Sequence, residues 1–267
     1  MKDCAMTIDI YESITTCVPE DIRTEIEQIT ASAAAQNPPV NIFFRADDIA
    51  VPSKRFHRLM ELFLTYQTPL CLAVVPAWMT RLRWKAMRSY INRGSRLFCW
   101  HMHGYRHKNH EKTGKKQEFG PARPHRDLSS DLEKGDRRLS RILDTQLTRV
   151  FTPPWNRCSS ETMLILQQMG YAGISRDHDA RPGAPEGFPD FQIHVDLHTR
   201  KEKAVKTGWR KLFHELETGF SSKRCGIMIH HMRMDNRAFL FLEFLLALFS
   251  RSPGVKTLSY DDMIKKR

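Results

Sequence analysis

The chain has 267 residues, of which 41% are apolar, so it is long and apolar enough to bury a core, which argues against global disorder. Its formal net charge at pH 7 is +12, which favours anionic partners without choosing among nucleic acid, a membrane surface and an acidic substrate. The six cysteines form no CxxC pair, which argues against a disulfide framework and favours a reducing compartment.

The first sixteen residues, MKDCAMTIDIYESITT, contain acidic residues and no long apolar run, so they do not resemble a signal peptide. The most apolar stretch, residues 238–249, is too short to span a bilayer and contains Glu243, so it is predicted to be a buried helix. These features predict a cytoplasmic protein without a transmembrane segment. We predict a helical extension over residues 1–36 and one barrel domain over residues 37–267.

Short apolar runs alternate with amphipathic segments along the barrel region. Strands are predicted at 41–44, 69–76, 96–103, 149–154, 171–177, 191–198 and 225–231. Helices are predicted at 53–67, 83–94, 125–144, 159–170, 208–220 and 237–251, and residues 257–266 predict a last short strand and a turn of helix. Apolar strands that alternate with helices are typical of a parallel sheet covered on both faces, and seven such units favour a β/α barrel over an open sheet.

Polar side chains that could bind a metal follow several of these strands. They occur in the segments RADD, HMHGYRH, TPPWNR, DLHTR and HHMRMD. In a β/α barrel the carboxyl ends of the strands carry the active site, because the βα loops meet there. The fold would therefore bring these side chains together.

His103 and His107 are four residues apart, so they would share one face if the chain turned helical after the third strand. With a carboxylate from Asp47 or Asp48 they would form a three-ligand site with open positions, which is typical of catalytic zinc. The other aspartate would be a general base, and a histidine from the seventh strand end a general acid, for hydrolysis of an amide or ester.

Each of these motifs also has a structural interpretation. An HxxxH pair occurs on surface helices, a DD pair after a strand can cap a helix, and two adjacent histidines can pack at a strand end. His101 would point to the same side of its strand as His103 and is an alternative ligand, ranked lower because it lacks a partner four residues on. The basic segment 111–126 is predicted to be an exposed loop, either solvated or a lid over an anionic substrate.

The motifs ADD, HGYRH, FTPPWN and IMIHH, in this order between residues 39 and 260, resemble those of the polysaccharide deacetylases of the NodB-homology type, carbohydrate esterase family 4. The resemblance implies a distorted (β/α)7 barrel and metal-dependent removal of an acetyl group from an N-acetylated sugar or other small acylated substrate. The implied metal is divalent, with zinc preferred over cobalt or iron.

The resemblance also implies a role for each matching residue. Asp47 corresponds to the catalytic base and His230 to the general acid. The implied metal ligands are Asp48, His103 and His107. The implied substrate-binding residues are Pro153, Pro154, Trp155 and His231.

Two departures from the family pattern bear on activity. The glycine after the DD pair is Ile49 here, and the arginine of the third motif is replaced by Thr152, which cannot pair with the base. We consider three arginines that could compensate: Arg45, Arg106 and Arg157. The DxxDW motif has no clear match, which leaves three candidates for the carboxylate that orients the acid histidine: Asp177, Asp179 and Asp196.

The missing motif arginine keeps a second hypothesis open, in which the protein is a catalytically silent relative that binds a carbohydrate or anionic ligand. Nucleic-acid binding is disfavoured, because the aromatic residues do not interleave with a basic stripe. For a cytoplasmic deacetylase, a soluble or lipid-linked precursor sugar is a more plausible substrate than a finished polymer.

Overall fold

The computed structural model describes residues 9–33, 38–94 and 96–265. Eight strands lie in one sheet: β1 (Val40–Ile49), β2 (Leu70–Val74), β3 (Phe98–His103), β4 (Leu147–Thr152), β5 (Gly173–Ile174), β6 (Ile193–Asp196), β7 (Arg224–Ile229) and β8 (Val255–Thr257). The α-helices are α1 (Glu20–Ser32), α2 (Lys54–Thr65), α3 (Arg81–Met87), α4 (Ser89–Gly94), α5 (His125–Leu143), α6 (Ser160–Gln168), α7 (Val205–Ser221), α8 (Asn236–Arg251) and α9 (Tyr260–Lys265). Short 3-10 turns occur at Ile10–Ser13, Asp144–Gln146, Pro154–Asn156 and His231–Arg233.

The strands form a parallel sheet in the order β5-β4-β3-β2-β1-β7-β6, with β8 beside the start of β1. The gap between β5 and β6 is closed by isolated bridges, Ile174 with Asp190 and Asp177 with Ile193. The predicted distorted (β/α)7 barrel is confirmed. The fifth strand is shorter than predicted, because after the hydrogen bond from the Ser175 N–H to the Phe151 carbonyl of β4 (2.9 Å), the Arg176 carbonyl accepts from the Ile193 N–H across the gap (2.7 Å).

Side chains that point into the barrel form three layers. The lowest is an apolar plug in which Phe43 lies 5.5 Å from the ring of Tyr260 on α9, beside Cys71 and Cys99. The middle layer is polar, and the top layer faces solvent at the carboxyl ends of the strands. From bottom to top, β1 contributes Phe43, Arg45 and Asp47, and β3 contributes Cys99, His101 and His103.

The larger core lies between the sheet and the helices. The predicted apolar helix is α8, whose Phe241, Leu242 and Leu245 are fully buried. Ser159 caps α6, since its hydroxyl accepts a hydrogen bond from the Thr162 N–H. The predicted helix over 83–94 is interrupted at Arg88, where an i to i+3 hydrogen bond from Ile91 tightens the turn, so that two short helices form.

The described part of the predicted extension, residues 9–33, contains one 3-10 turn and α1. Ile22 and Ile26 of α1 belong to the same buried cluster as the barrel helices, and the Tyr11 hydroxyl donates to the Leu197 carbonyl (2.7 Å). The extension therefore packs on the barrel, and the boundary at residue 36 stays a prediction. Within the described ranges, no helix combines the length and the apolar character needed to cross a bilayer.

Candidate metal centre and active site

A bulge at the end of β1 turns two successive aspartates toward one cavity. The pairing of β1 with β2 shifts register between Ala46 and Ile49, so β1 carries one extra residue there. Asp48 lies in the left-handed region, with φ of 60°. In a regular strand Asp47 and Asp48 would point to opposite faces, but here both line a cavity of about 530 Å³.

Asp48, His103 and His107 form a group of three potential ligands whose donor atoms all lie within 4.8 Å of one another. The Nε2 atoms of His103 and His107 are 3.5 and 3.4 Å from Asp48 Oδ1. That oxygen is buried without a hydrogen-bond partner among the described residues, which leaves it available to a cation. The set of Asp48, His103 and His107 is the one group of three potential metal ligands in the described ranges.

Thr152, at the position of the missing arginine, contacts both interior histidines of β3. The Nδ1 atom of His103 lies 3.0 Å from the Thr152 carbonyl oxygen, so Nδ1 carries a proton, and Nε2 is the ring nitrogen that faces Asp48 and could bind a metal. The Thr152 hydroxyl lies 2.9 Å from Nε2 of His101. His101 lies one layer deeper, against Tyr260 at 4.9 Å between ring centroids, and burial lowers its pKa to about 3. The structure therefore does not bring His101 to the ligand group.

His107 reaches this group from a loop, since residues 104–110 are not helical. The buried Glu118 carboxylate accepts hydrogen bonds from three consecutive backbone N–H groups, those of Tyr105 (3.1 Å), Arg106 (2.6 Å) and His107 (3.2 Å). His107 itself adopts a positive φ of 57°. The Glu118 side chain thus fixes the turn that presents His107, although it is not one of the ligand atoms.

Glycine is required at the start of this loop. Gly104 has φ of 59°, and a Cβ atom there would lie 2.2 Å from Glu118 Oε2 and 2.5 Å from Cγ of Pro154. Pro154 lies directly against Gly104, so it is buried beneath the loop and does not line the cavity. The predicted exposure of segment 111–126 holds for residues 112–116 but is wrong for Glu118 and Phe119, both of which are fully buried because they support the loop.

Glu118→Gln should weaken metal binding about 10- to 100-fold, since a side-chain amide has one acceptor oxygen and cannot satisfy all three N–H groups. The measurement is competition for the metal with a chelator of known affinity. Glu111→Gln is the matched control, because Glu111 lies in the same segment and accepts from the Ala122 N–H rather than from the histidine loop. Equal affinity in wild type and Glu118→Gln would show that the loop does not need this carboxylate.

Arg45 forms a buried, bidentate ion pair with Asp47. Its Nε and Nη2 atoms donate to Asp47 Oδ1 and Oδ2 at 2.8 and 2.9 Å, and its side chain is fully buried. Burial alone would raise the pKa of Asp47, but the charge and hydrogen bonds of Arg45, together with the charges of His103 and His230, outweigh burial and lower that pKa below its ordinary value. Among the three arginines considered, Arg45 is the one that pairs with Asp47, from the same strand rather than from β4.

A strained turn after β4 connects Arg45 to the cavity wall. Trp155 and Asn156 have φ of 58° and 59°, a rare conformation for two successive non-glycine residues. The Asn156 side chain accepts from Arg45 Nη2 (2.6 Å) and donates to Asp177 Oδ1 (2.7 Å), and Trp155 lies edge-on to His107 at 4.5 Å between ring centroids. Asn156 lies within the FTPPWN motif, but the motif alone does not indicate this role.

Burial raises the pKa of Asp177 to about 6, from an ordinary value of 3.8. The folded state therefore holds a proton between about pH 4 and 6 that the unfolded chain releases, and stability falls as pH rises through this range. Asp177→Asn should reduce this fall in the free energy of unfolding by up to about 3 kcal/mol. Denaturant titrations at pH 4 and pH 8 measure it, with the exposed Asp179→Asn as control; an equal fall in Asp177→Asn and wild type would contradict the prediction.

His230 lines the cavity, but no carboxylate orients its ring in this structure. Its Nδ1 atom is buried without a partner in the described ranges, and its backbone N–H donates to Nδ1 of His198 (3.2 Å). Asp196 instead accepts from the backbone N–H groups of His198 and Thr199. The resemblance assigns the carboxylate that orients the acid histidine to the DxxDW motif. In the described ranges no direct contact from Asp196 to the His230 ring fills that role.

The structure brings six of the nine predicted site residues to the cavity: Asp47, Asp48, His103, His107, Trp155 and His230. His231 is not among them, since its side chain is 1% exposed and its ring packs 6.1 Å from that of Phe56 on α2. Pro153 and Pro154 are buried beneath the turn rather than exposed in the wall. Away from the ligand group the cavity ends in charged residues, where Arg200 pairs with Glu215 (2.8 Å) and Lys211 with Glu202 (2.9 Å).

The sequence matches neither a protein-family model nor a curated protein. Among solved structures, a Mycobacterium smegmatis protein named as a polysaccharide deacetylase has a TM-score of 0.67 at 12% identity, over 86% of this chain and 91% of that chain. A family 4 acetyl xylan esterase from Clostridium thermocellum, in complex with a cobalt ion, has a TM-score of 0.51 at 10% identity, over 84% of this chain and 91% of that chain.

A third similar structure is a carbohydrate esterase family 4 pseudoenzyme from Bacillus anthracis. Its TM-score is 0.51 at 11% identity, over 84% of this chain and 65% of that chain. The fold is therefore shared by proteins named as enzymes and by one named as a pseudoenzyme. The chain has the distorted barrel fold of the carbohydrate esterase family 4 polysaccharide deacetylases.

Proposed function

We propose that the protein is a metal-dependent hydrolase that removes an acetyl group from an N-acetylated sugar or a related small amide. The observation that carries this proposal is the meeting of the Asp48, His103 and His107 donor atoms within 4.8 Å in a cavity that also holds Asp47 and His230. Ligands, base and acid of one hydrolytic reaction would then share a single site.

The donor set fits a divalent transition metal. One carboxylate oxygen and two imidazole nitrogens are ligands that suit zinc, cobalt or iron, and a three-ligand set leaves positions for water and substrate. Asp48 Oδ1 is buried and unpaired within the described chain, and the Thr152 carbonyl holds His103 in the tautomer a ligand needs. When bound, such a metal supplies a Lewis acid that polarises the acyl carbonyl and acidifies water.

Asp47 is the proposed general base. Arg45 holds both of its oxygens and keeps it ionised, yet each carboxylate oxygen retains a further lone pair that can take the proton of an attacking water. The hydrogen bonds from Arg45 to Asn156 and Ser175 fix the guanidinium, so the carboxylate is held in one orientation.

His230 is the proposed general acid, which protonates the departing amine so that a neutral sugar amine leaves. Trp155 offers a ring face and edge beside His107, where a sugar ring could stack. His231, Pro153 and Pro154 have supporting rather than substrate-binding positions in this proposal. A soluble or lipid-linked precursor sugar in the cytoplasm remains our proposed substrate.

The first test uses the wild-type protein. It would be purified without chelator, analysed for bound metal, and assayed for acetate release from N-acetylglucosamine and its short oligomers. About one zinc, cobalt or iron per chain, with acetate release that a chelator abolishes and added metal restores, would support the proposal. Bound metal without acetate release from any N-acetylated sugar would favour the silent binding protein, and no metal even after adding zinc would overturn the hydrolytic mechanism.

A further inference from the structure

Exposed apolar side chains are concentrated around the mouth of the candidate site. Five large apolar side chains are exposed within the described ranges, and four of them follow β1, β2 or β7: Val51 (43%), Trp78 (38%), Leu82 (79%) and Met232 (46%). The fifth, Leu164, lies on α6. An exposed apolar residue alone needs no explanation, but four on neighbouring loops form a surface feature.

The sheet order places these loops side by side. β2, β1 and β7 are successive strands, so the loops that leave their carboxyl ends are neighbours along one side of the barrel. Direct contacts confirm the adjacency: the Ser53 hydroxyl lies 3.4 Å from the Met232 sulfur, and Arg55 donates to the Met232 carbonyl at 3.1 Å. Trp78 lies against His107, with 5.7 Å between ring centroids, so this surface reaches the ligand group.

The same surface is strongly basic. Residues 50–58, 75–88, 104–110 and 230–234 contain ten lysines and arginines and no aspartate or glutamate. Most of these cations are exposed, including Lys54, Arg81, Lys85, Arg106 and Arg233. The segments that carry the apolar side chains therefore have a large excess of positive charge, although the loop after β7 also contains Asp235.

We propose that this surface, which we call the basic apolar rim, binds an anionic membrane surface and holds the mouth of the candidate site against lipid headgroups. Apolar side chains among lysines and arginines are the combination that binds such a surface, since the cations attract anionic headgroups and the apolar groups enter the interface. Leu82 lies at the start of α3, between Arg81 and Arg83, so the most exposed apolar side chain is flanked by positive charge.

The apolar component separates this proposal from a nucleic-acid site. Phosphate backbones are bound by cations and polar groups, and a leucine with 79% of its surface exposed adds nothing to such binding. A membrane partner therefore predicts that both the charge and the Leu82 side chain contribute. The proposal does not depend on hydrolytic activity, because binding is measured without substrate.

Flotation with vesicles tests the proposal. The full-length protein should bind vesicles of 70% phosphatidylcholine and 30% phosphatidylglycerol at physiological salt, and bind pure phosphatidylcholine much more weakly. Leu82→Ser should lower the partition coefficient about tenfold. Leu164→Ser is the matched control, because it removes an exposed leucine from a surface outside the rim and should leave binding unchanged.

A charge-reversal pair tests the electrostatic component. Arg81→Glu with Lys85→Glu should lower binding by about 30-fold or more, whereas Arg137→Glu with Arg141→Glu, which changes the net charge equally at the same spacing on α5, should lower it far less. No binding to anionic vesicles, or an equal loss in the two leucine variants, would overturn the proposal. So would a charge-dependent loss without any effect of Leu82→Ser, together with equally tight binding of a DNA duplex, since the rim would then be a general polyanion site.

Discussion

Replacing Asp48 with asparagine should leave the protein folded but remove its bound metal and its hydrolytic activity. Asparagine has nearly the same shape and tolerates the left-handed backbone that Asp48 adopts at φ of 60°, so the fold should be retained. It lacks the negative charge that a divalent cation needs from this ligand group, where the other two donors are neutral imidazole nitrogens. We expect kcat/KM to fall by about 10³-fold or more.

Elemental analysis and the acetate assay measure this prediction together, and circular dichroism checks the fold. His103→Ala should give the same loss of metal through a different ligand. Asp179→Asn is the control, since it removes one carboxylate from the cavity lining but not from the ligand group. Full metal content in both Asp48→Asn and His103→Ala would show that the metal, if any, binds elsewhere.

Arg45→Met should have the second largest effect, on stability and activity at once. It leaves Asp47, which is 4% exposed, without its bidentate partner, and breaking a buried ion pair from one side costs about 3–5 kcal/mol. Without the charge and hydrogen bonds of Arg45, the pKa of Asp47 should rise, so a smaller fraction of the base is ionised. We expect kcat/KM near neutral pH to fall by about 10²–10⁴-fold.

The pH dependence distinguishes a lost base from simple destabilisation. In wild type the lowered pKa of Asp47 means that its carboxylate stabilises the fold above about pH 4, and this contribution is lost as pH falls through the folded-state pKa. In Arg45→Met the acid limb of the kcat/KM profile should move to higher pH. An unchanged acid limb and a small change in kcat/KM would show that Asp47 does not act as the base.

Arg176→Met is the matched control for Arg45→Met. Arg176 is also buried, at 1% exposure, and it pairs with Asp190 through Nε and Nη2, but neither residue lines the cavity. It should cost a similar free energy of unfolding. At a temperature where both variants are folded, its kcat/KM should stay within about threefold of wild type.

The barrel was predictable because strand and helix periodicity repeat seven times, and each repeat independently supports the same architecture. The polar residues at strand ends were predictable as a group for the same reason, since the fold determines where strand ends meet. Cys71 and Cys225 lie within apolar strands and are fully buried, so they are core residues whose position the strand pattern makes predictable.

Features that depend on local backbone geometry were not predictable. The spacing predicts a helix that brings His107 beside His103, whereas the structure uses a loop fixed by Glu118. Glu118 lies fifteen residues after His103, in a segment predicted to be an exposed loop, either solvated or a lid. The bulge that turns both aspartates inward leaves no composition signal, and neither does the left-handed turn at Trp155 and Asn156. Such contacts depend on exact chain paths that a periodicity does not encode.

The resemblance implies a substrate-binding role for His231, but the side chains of His230 and His231 point in different directions at the end of β7. The chain enters a 3-10 turn at His231, and this turn directs the His231 ring toward the ring of Phe56. The arginine that pairs with Asp47, in contrast, could be narrowed to three candidates from the sequence, and Arg45 was one of them. Arg45 and Asp47 are two residues apart on one strand, so their side chains point to the same side of the sheet, and this observation could have singled out Arg45.

Because Arg45 and Asp47 belong to one strand, the distance between their side chains is determined by the backbone geometry of β1. It does not depend on how closely two strands pack. A base held by an arginine from β4 would lose alignment whenever β1 and β4 slide past each other, as warming or a mutation between the strands would allow. Here both residues lie on β1, an interior strand that pairs with β2, β7 and β8. We therefore expect the alignment of the base to be less sensitive to sliding between strands, and we expect local opening of the barrel first at the isolated bridges between β5 and β6.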